Sequence, residues 1–521
     1  MTNSPLVLLG LAGVVAGLTV RAWYRRFVRR TTVLLDDSPI LTDPALHPHR
    51  GKLAVVIGGS IAGCMTAKVL LSHFDHVTVL ESEDLDVHNK NWRKPRKNVM
   101  QVDAQHVMQP LGYRLLERIF PGIQKDFLAQ GAEPYNMTIG NFWMFGSFLE
   151  RPKWDKDLET VSGSRTLYEG CIRTKLLESD AKRLEYRTNV TVQQIRINEG
   201  AVCGVSCYDK ITKTTFIVDA DLVVDATGRS AKGRKWIKDL GYPEIDEDSY
   251  DPLSQYSFAV YKLTGAFAPF VATMPDPETG GRDAVSVIKL ENEHCILCIQ
   301  KIADASRVPS SDEEVDAVLQ AVSEKWPFWK DIRRQVGERV NEIKNFKLSP
   351  SRFCRYDRAV LPAGFVAVGD AFCSFNPVYG QGMTTAAIAA VTLSTVLRSA
   401  DALAAVSTSY HSLLRQRLAQ IWLTNAVTDL IWPNVIPTAG QSRSDTDVRA
   451  LSSFTRILFK AAHIDAAAAL CVGRSAALVA WPHELLDPRL LWALFKVSVL
   501  GRKPPPRRWE YRDATMVPVG L

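Results

Sequence analysis

Two short segments, far apart in the chain, combine residue types that could bind a dinucleotide cofactor. Residues 58–63 read G-G-S-I-A-G, and Glu81 follows 18 positions after Gly63. Residues 369–383 read G-D-A-F-C-S-F-N-P-V-Y-G-Q-G-M and hold one carboxylate among several glycines. Glycine-rich turns let backbone amides approach a phosphate, and a carboxylate accepts hydrogen bonds from sugar or polyol hydroxyls. The two segments therefore predict one nucleotide site, if the fold brings them together.

The elements around the first segment predict a βαβ unit. Residues 53–57 are continuously apolar, as in a strand buried on both faces, and a helical stretch continues to about Ser72. A second strand, residues 77–80, leads to Glu81, which can accept both ribose hydroxyls. Gly58 allows the tight turn, Gly63 lets the helix approach the strand, and Ser60 stands where the G-x-G-x-x-G pattern has its middle glycine. The alternative is a glycine-rich turn in a generic α/β protein.

The second segment indicates which dinucleotide is bound. Residues 366–368 predict a buried strand that ends at Gly369 and Asp370. Asp370 can bind the polyol chain that a flavin has and a nicotinamide lacks. A helix opening at residues 380–383 would direct free N–H groups at the isoalloxazine edge, where reduced flavin carries negative charge. The segment therefore predicts FAD, and the alternative is a structural strand-to-helix turn.

A third segment completes a family pattern. Residues 222–224 predict a strand that leads into D-A-T-G-R at residues 225–229. The glycine fingerprint, D-A-T-G-R and G-D, in this order, resemble the single-component FAD-dependent monooxygenases, the group of the aromatic hydroxylases and squalene epoxidase. The resemblance covers roughly residues 51–397. It implies a flavin that is reduced by NAD(P)H as co-substrate and reacts with O2, with no metal.

The resemblance also assigns cofactor contacts, although it identifies no catalytic residue. The residues that it implies for FAD binding are Gly58, Ser60, Gly63, Glu81, Arg173, Gly369, Asp370, Pro377, Gly380, Gly382 and Met383. The stretch around Arg173 is one residue longer than the L-E-x-x-L-R pattern of the family. The D-A-T-G element departs from the family's D-G, which leaves the engagement of NAD(P)H open. His106 is a candidate polar group near the flavin or a packing histidine.

The amino terminus predicts a membrane anchor. Residues 5–20 are almost wholly apolar, and Arg21, Arg25, Arg26, Arg29 and Arg30 follow immediately. Basic residues after the apolar core favour an anchor over a signal peptide, with the body on the cytosolic side. The endoplasmic reticulum is the expected membrane, and the mitochondrial outer membrane and a bacterial inner membrane are the alternatives. A buried or interfacial helix is the alternative.

Composition excludes several other classes. The net charge of +7 on 521 residues is too small to indicate nucleic-acid binding, and the hydrophobic fraction of 46% is that of a globular protein. Nine scattered cysteines do not form a disulfide framework. Cys295 and Cys298 lie in an apolar strand pattern, where positions i and i+3 face opposite sides and cannot form a redox pair.

These patterns predict an α/β protein: a Rossmann-like FAD-binding fold with an inserted antiparallel β-sheet substrate domain and a helical C-terminal region. The predicted boundaries are 1–25 for the anchor, 26–50 for a linker, 51–245 and 351–400 for the FAD-binding domain, 246–350 for the β domain and 401–521 for the helices. The predicted function is a membrane-anchored FAD monooxygenase that epoxidises or hydroxylates a lipophilic small molecule. The alternatives are a flavin-dependent reductase of prenyl double bonds, a flavin halogenase and a non-catalytic, membrane-tethered flavoprotein. All twelve tryptophans lie outside a W-x-W pattern, which disfavours the halogenase.

Overall fold

The computed structural model describes residues 5–35, 41, 48–85, 96–97, 99, 101–139, 141–180, 182–265, 270–277, 281–440 and 446–503. The helices are α1 Pro5–Thr31, α2 Ile61–Leu70, α3 Pro110–Ile119, α4 Ile123–Ala129, α5 Arg165–Ser179, α6 Lys232–Asp239, α7 Asp312–Lys325, α8 Phe328–Gln335, α9 Gly382–Ser399, α10 Val406–Leu430, α11 Thr446–Ala462, α12 Ala466–Ala476 and α13 Pro488–Ser498.

The strands are β1 Gly51–Ile57, β2 Phe74–Leu80, β3 Glu133–Asn136, β4 Asn141–Met144, β5 Ser147–Phe148, β6 Glu159–Ser162, β7 Leu184–Arg187, β8 Val190–Asn198, β9 Ala201–Asp209, β10 Thr215–Asp219, β11 Leu222–Asp225, β12 Glu247–Asp251, β13 Gln255–Leu263, β14 Phe270–Met274, β15 Asp283–Leu290, β16 His294–Lys301, β17 Val336–Arg339, β18 Lys344–Lys347, β19 Ser351–Cys354, β20 Phe365–Ala367, β21 Cys373–Ser374 and β22 Ile436–Ala439.

A five-stranded parallel sheet, in the order β20-β11-β1-β2-β7, forms the centre of the molecule. Its register aligns Ala367, Asp225, Ile57 and Leu80 at the carboxyl ends of four neighbouring strands. The strands are apolar because helices cover the sheet, and their side chains join the largest buried core. The loops that follow β1, β11 and β20 therefore leave the sheet side by side.

An eight-stranded sheet, in the order β17-β13-β16-β15-β14-β4-β5 with β18 also paired to β13, forms a second layer. One face packs under α7 and α8, where Cys295 and Leu297 are buried. The other face presents Phe258, Ile296 and Cys298. Cys295 and Cys298 thus lie on opposite faces, as the strand periodicity predicts. The inserted antiparallel sheet of the predicted fold is confirmed, with one parallel pair between β4 and β14.

The C-terminal region is helical, as predicted, and is more closely tied to the body than the sequence indicates. The short strand β22 pairs with β12 in a four-stranded sheet, and α10 packs against α9. Helices α11, α12 and α13 share a separate small core that includes Leu458, Ala468 and Leu490.

Helix α1 extends from the predicted anchor segment and packs against α10 at its carboxyl end. Val28 is fully buried there, and Arg417 Nη2 donates to the carbonyl of Arg29 at 3.2 Å. Within the described residues, no helix has both the length and the apolar character that crossing a membrane requires. The prediction of a transmembrane anchor is therefore not supported.

Candidate active site

The turn after β1 has the close packing that its glycines predict. Gly58 has a φ of +109°, and a Cβ at this position would lie 2.5 Å from the carbonyl oxygen of Ala226. A Cβ on Gly63 would lie 1.9 Å from the carbonyl oxygen of Gly58. Helix α2 can approach the turn only because Gly63 has no side chain. Its first-turn N–H groups consequently face the carboxyl edge of the sheet, the position that binds a diphosphate in this kind of unit.

Ser60, at the amino end of α2, lies against a buried group of charged side chains. Its hydroxyl accepts a hydrogen bond from Arg165 Nη2 at 2.9 Å and donates to Glu169 Oε2 at 3.2 Å. Glu169 also pairs with Arg173 at 3.2 Å and with Arg96. Burial by itself would raise the pKa of Glu169, but the three arginines lower it to about 2. Arg173 therefore lies close to the fingerprint and contacts Glu169.

Glu81 is buried at the end of β2, as predicted, and its carboxylate already has partners. Oε2 accepts from the Gly59 N–H at 2.9 Å and from Arg96 Nη2 at 3.0 Å, and Oε1 accepts from the Glu83 N–H at 2.9 Å. Arg96 thus lies where the sequence places an adenosine ribose. The sequence alone leaves Arg96 as either a cofactor contact or a solvated charge, and the structure buries it.

The loop after β20 meets the turn after β1. Gly369 has a φ of +58°, and a Cβ there would lie 2.9 Å from the Cβ of Ala62. Asp370 follows, half-buried, with its Oδ2 4.0 Å from Arg229 Nε. Removal of the carboxylate from water raises the pKa of Asp370, and the positive charge of Arg229 opposes that rise. The two segments that the sequence assigns to the two halves of one dinucleotide are therefore adjacent.

The D-A-T-G-R loop after β11 lies between them and contributes Arg229, whose contacts the sequence does not predict. Asp225 is fully buried and accepts from the N–H groups of Thr227 at 2.9 Å and Gly233 at 2.8 Å, so its role is to hold the loop and the start of α6. Arg229 Nη2 donates to the carbonyl of Phe375 at 2.8 Å. Its Nη1 is buried and has no hydrogen-bond partner among the described residues.

The segment expected at the flavin ring forms a 3-10 turn, Pro377–Tyr379, followed by α9, which begins at Gly382 as predicted. Gly380 has a φ of +63° and lies against Val107. A Cβ built on Gly382 would meet no heavy atom of the described residues within 4 Å. Met383 packs against the large core beside it. Among the described residues, the first turn of α9 therefore leaves space beside Gly382, where the sequence places the edge of the flavin ring.

Helix α10 fixes this segment through two polar side chains one turn apart, which the sequence analysis missed. Asn425 Nδ2 donates to Gln381 Oε1 at 2.9 Å. Asp429 accepts from Tyr379 Oη at 2.7 Å and from Asn376 Nδ2 at 3.1 and 3.2 Å. Burial raises the pKa of Asp429 to about 6, against the lowering effect of these donors. A polar group that is buried away from any cation is expensive unless fully hydrogen-bonded, which explains the number of donors.

The second sheet covers the same segment from the other side. Tyr256 Oη donates to Asn376 Oδ1 at 3.0 Å, and Ser286 Oγ donates to Gln105 Oε1 at 2.7 Å. Between these polar links the sheet face is apolar and packs with Val107. His106 bonds the carbonyl of Ala104 through Nδ1 at 2.8 Å. Burial, with Arg165 nearby, lowers the pKa of His106 to about 3, so the ring is neutral at ordinary pH.

Comparisons with known proteins agree with this fold. No family model matches the chain. Protein Rv3254 of Mycobacterium tuberculosis is 27% identical over 397 residues, covering 72% of this chain and 80% of that protein. The solved structure of the flavin-dependent brominase Bmp2 superposes with a TM-score of 0.56 at 14% identity, covering 85% of this chain and 97% of that one. PqsL, a probable FAD-dependent monooxygenase from Pseudomonas aeruginosa, gives 0.54 at 16% identity, covering 74% and 97%.

Proposed function

We propose that this chain, which has the fold of FAD-dependent monooxygenases and halogenases, is itself an FAD-dependent monooxygenase. The observation that carries the proposal is the contact between the two cofactor segments, where the Cβ position of Gly369 lies 2.9 Å from that of Ala62. A dinucleotide along the carboxyl edge of the sheet would place its diphosphate at residues 58–63 and its ribityl chain at Asp370.

The side chains present fit FAD. Within the described residues, the buried Nη1 of Arg229 has no hydrogen-bond partner, its Nε lies 4.0 Å from Asp370 Oδ2, and a Cβ on Gly382 would meet no heavy atom within 4 Å. Asp370 would hold the ribityl hydroxyls, and the first-turn amides of α9 would stabilise negative charge on the ring. Bound FAD, reduced by NAD(P)H, supplies the electrons that activate O2. Asn376 and Gln381, held by α10, would keep the ring-edge segment in place.

An apolar substrate fits the second sheet better than a charged one. Phe258, Ile288 and Ile296 on its inner face lie opposite Val107 and form an apolar cluster above the ring-edge segment. Such a surface excludes water from the reaction and holds a substrate by burial of its hydrocarbon. We therefore propose a lipophilic substrate, such as a polyene, terpenoid or polyketide, that is epoxidised or hydroxylated.

The test is oxygen incorporation. The purified chain, loaded with FAD, is incubated with NADH or NADPH, isotopically labelled O2 and lipid extracts, and the products are analysed by mass spectrometry. We expect NAD(P)H consumption that depends on both O2 and lipid, with one labelled oxygen atom in the product. A Gly382→Trp variant, which fills the space at the start of α9, is the matched control and should be inactive.

The same experiment separates the other candidates. Adding bromide or chloride would produce halogenated products from a halogenase, a possibility that the likeness to Bmp2 keeps in consideration. A prenyl reductase would consume NAD(P)H without O2 and yield saturated products. Bound FAD with no turnover of any lipid would indicate a non-catalytic flavoprotein, and a chain that binds no FAD would refute the proposal.

A further inference from the structure

A group of exposed apolar side chains lies on two neighbouring helical segments that have no part in the candidate active site. More than half of each of the following side chains is exposed: Leu18, Val20 and Trp23 on α1, and Leu486, Trp492 and Val499 in residues 485–500. Large apolar side chains are usually exposed singly in soluble proteins, and several of them on two segments joined by a hydrogen bond point to an interaction surface. We call these two segments together the docking face.

The two segments are held next to each other. Tyr24 of α1 and His483 share a hydrogen bond of 2.6 Å between Oη and Nδ1. Helix α13 buries Leu490 and Ala493 against α11 and α12, so its opposite side, with Trp492, points away from the protein. Val28 packs α1 against α10, and α13 packs into the small core that it shares with α11 and α12.

The charge on the docking face is mainly positive, and most of it lies on α1. Residues 5–31 contain no acidic side chain, and the arginines in them, Arg21, Arg25, Arg26, Arg29 and Arg30, are all exposed. In the part of the chain that the structure describes, none of these five forms an ion pair. Residues 485–503 carry Arg489, Lys496, Arg502 and Lys503, of which Arg489 pairs with Asp487 at 2.7 Å and Lys496 with Asp465 at 2.5 Å.

We propose that the docking face binds the surface of an anionic lipid bilayer. Aromatic and aliphatic side chains such as Trp23 and Trp492 partition into the boundary between headgroups and acyl chains, and nearby arginines are attracted to anionic headgroups. A second copy of the chain is disfavoured as the occupant, because pairing two such faces would bring arginines against arginines. The bilayer is then also the source from which a lipophilic substrate reaches the protein.

The experiment is vesicle flotation of the full chain. Vesicles of phosphatidylcholine with about one-third phosphatidylserine should carry the protein, vesicles of phosphatidylcholine alone should carry much less, and high salt should release it. Leu486→Asp with Trp492→Asp should lower the vesicle-bound fraction roughly tenfold or more, because two anchoring side chains become anionic. Arg25→Gln with Arg26→Gln should lower binding to the anionic vesicles roughly fivefold for each arginine.

The matched control is Ile211→Asp with Ile217→Asp, which places the same two negative charges at exposed apolar positions on the turn after β9 and on β10. It should bind vesicles like the unmodified chain. Flotation of the Leu486/Trp492 variant at the unmodified level would overturn the proposal. The proposal would also be overturned if the unmodified chain did not bind vesicles but formed a dimer in sedimentation, and if this variant did not form that dimer. Flavin absorbance is measured in parallel, so that loss of docking and failure of the FAD proposal are told apart.

Discussion

Asp429 gives the most demanding test of the reasoning, because its carboxylate is buried and no cation of the described residues pairs with it. Replacing Asp429 by asparagine keeps the shape of the side chain and removes its ionisable group. Burial raises the pKa of Asp429 from 3.8 to about 6, so the folded protein holds this proton more tightly than the unfolded chain. The contribution of this proton to the free energy of unfolding is fully present below pH 3.8 and is lost as the pH rises through about 6.

A pKa rise of this size corresponds to about 3 kcal/mol of free energy of unfolding over the whole range, at about 1.4 kcal/mol for each pH unit. About half of it falls between about pH 8 and about pH 5. The assay is urea unfolding of the unmodified chain and of Asp429→Asn at several pH values in that range. We expect the unmodified chain to gain about 1.5 kcal/mol relative to the variant on going to the lower pH.

A constant offset between the two proteins is also expected. An amide at position 429 would set its NH2 group against the NH2 of Asn376, which now donates to the carboxylate at 3.1 and 3.2 Å. That offset does not alter the pH dependence, which is the quantity measured. Tyr379→Phe serves as the companion variant, because it removes a donor that lowers the pKa and should move the transition to higher pH. Curves for the unmodified chain and Asp429→Asn that stay parallel would refute the reasoning.

The remaining predictions concern the cofactor segments. Asp370→Ala should weaken FAD binding by roughly ten- to a hundredfold, the cost of losing hydrogen bonds to a charged group, and yield colourless protein. Arg229→Met should weaken FAD binding roughly tenfold, because its buried Nη1 has no other partner in the described residues. Gly63→Ala should prevent folding, since its Cβ would lie 1.9 Å from a backbone oxygen. Gly382→Ala should fold normally yet bind FAD more weakly, since a Cβ there meets only open space.

The predictions for these four variants can each be contradicted by a measurement. Flavin titration followed by fluorescence gives the affinity for the Asp370 and Arg229 variants, with Asp370→Asn expected to retain most of it. Unchanged affinity in Asp370→Ala would remove the residue from the site. Circular dichroism and solubility distinguish the two glycines. A soluble Gly63→Ala protein or a misfolded Gly382→Ala protein would contradict the packing described.

The parts of the site that follow a buried parallel strand could be predicted from the sequence. A strand that is covered on both faces has a continuous apolar sequence, as in residues 53–57, and here a glycine follows its last residue. Asp370 and the start of α9 at Gly382 were located in this way, and the structure places both as expected. The local pattern is sufficient there because the sheet brings the ends of neighbouring strands together whatever lies between them.

The polar side chains that fix the site from outside the sheet could not be found in this way. Asn425 and Asp429 lie in a helix whose sequence gives no sign that this turn faces a loop some fifty residues earlier. Arg229 lies within a recognised segment, but only the fold directs it towards Asp370. The strand β22, four residues long, is too short to show a period. In each case the missing information is tertiary contact.

The alignment of β1, β11 and β20 in one sheet has a consequence for synthesis. β20 is the last strand of that sheet to leave the ribosome, after all the strands of the second layer have been made. Until Phe365–Ala367 pairs with Leu222–Asp225, the earlier half of the protein lacks the edge on which Asp370 sits. One edge of β11 therefore has no partner in this sheet until β20 has been synthesised, and an unpaired apolar edge is a site for chaperone binding and for aggregation.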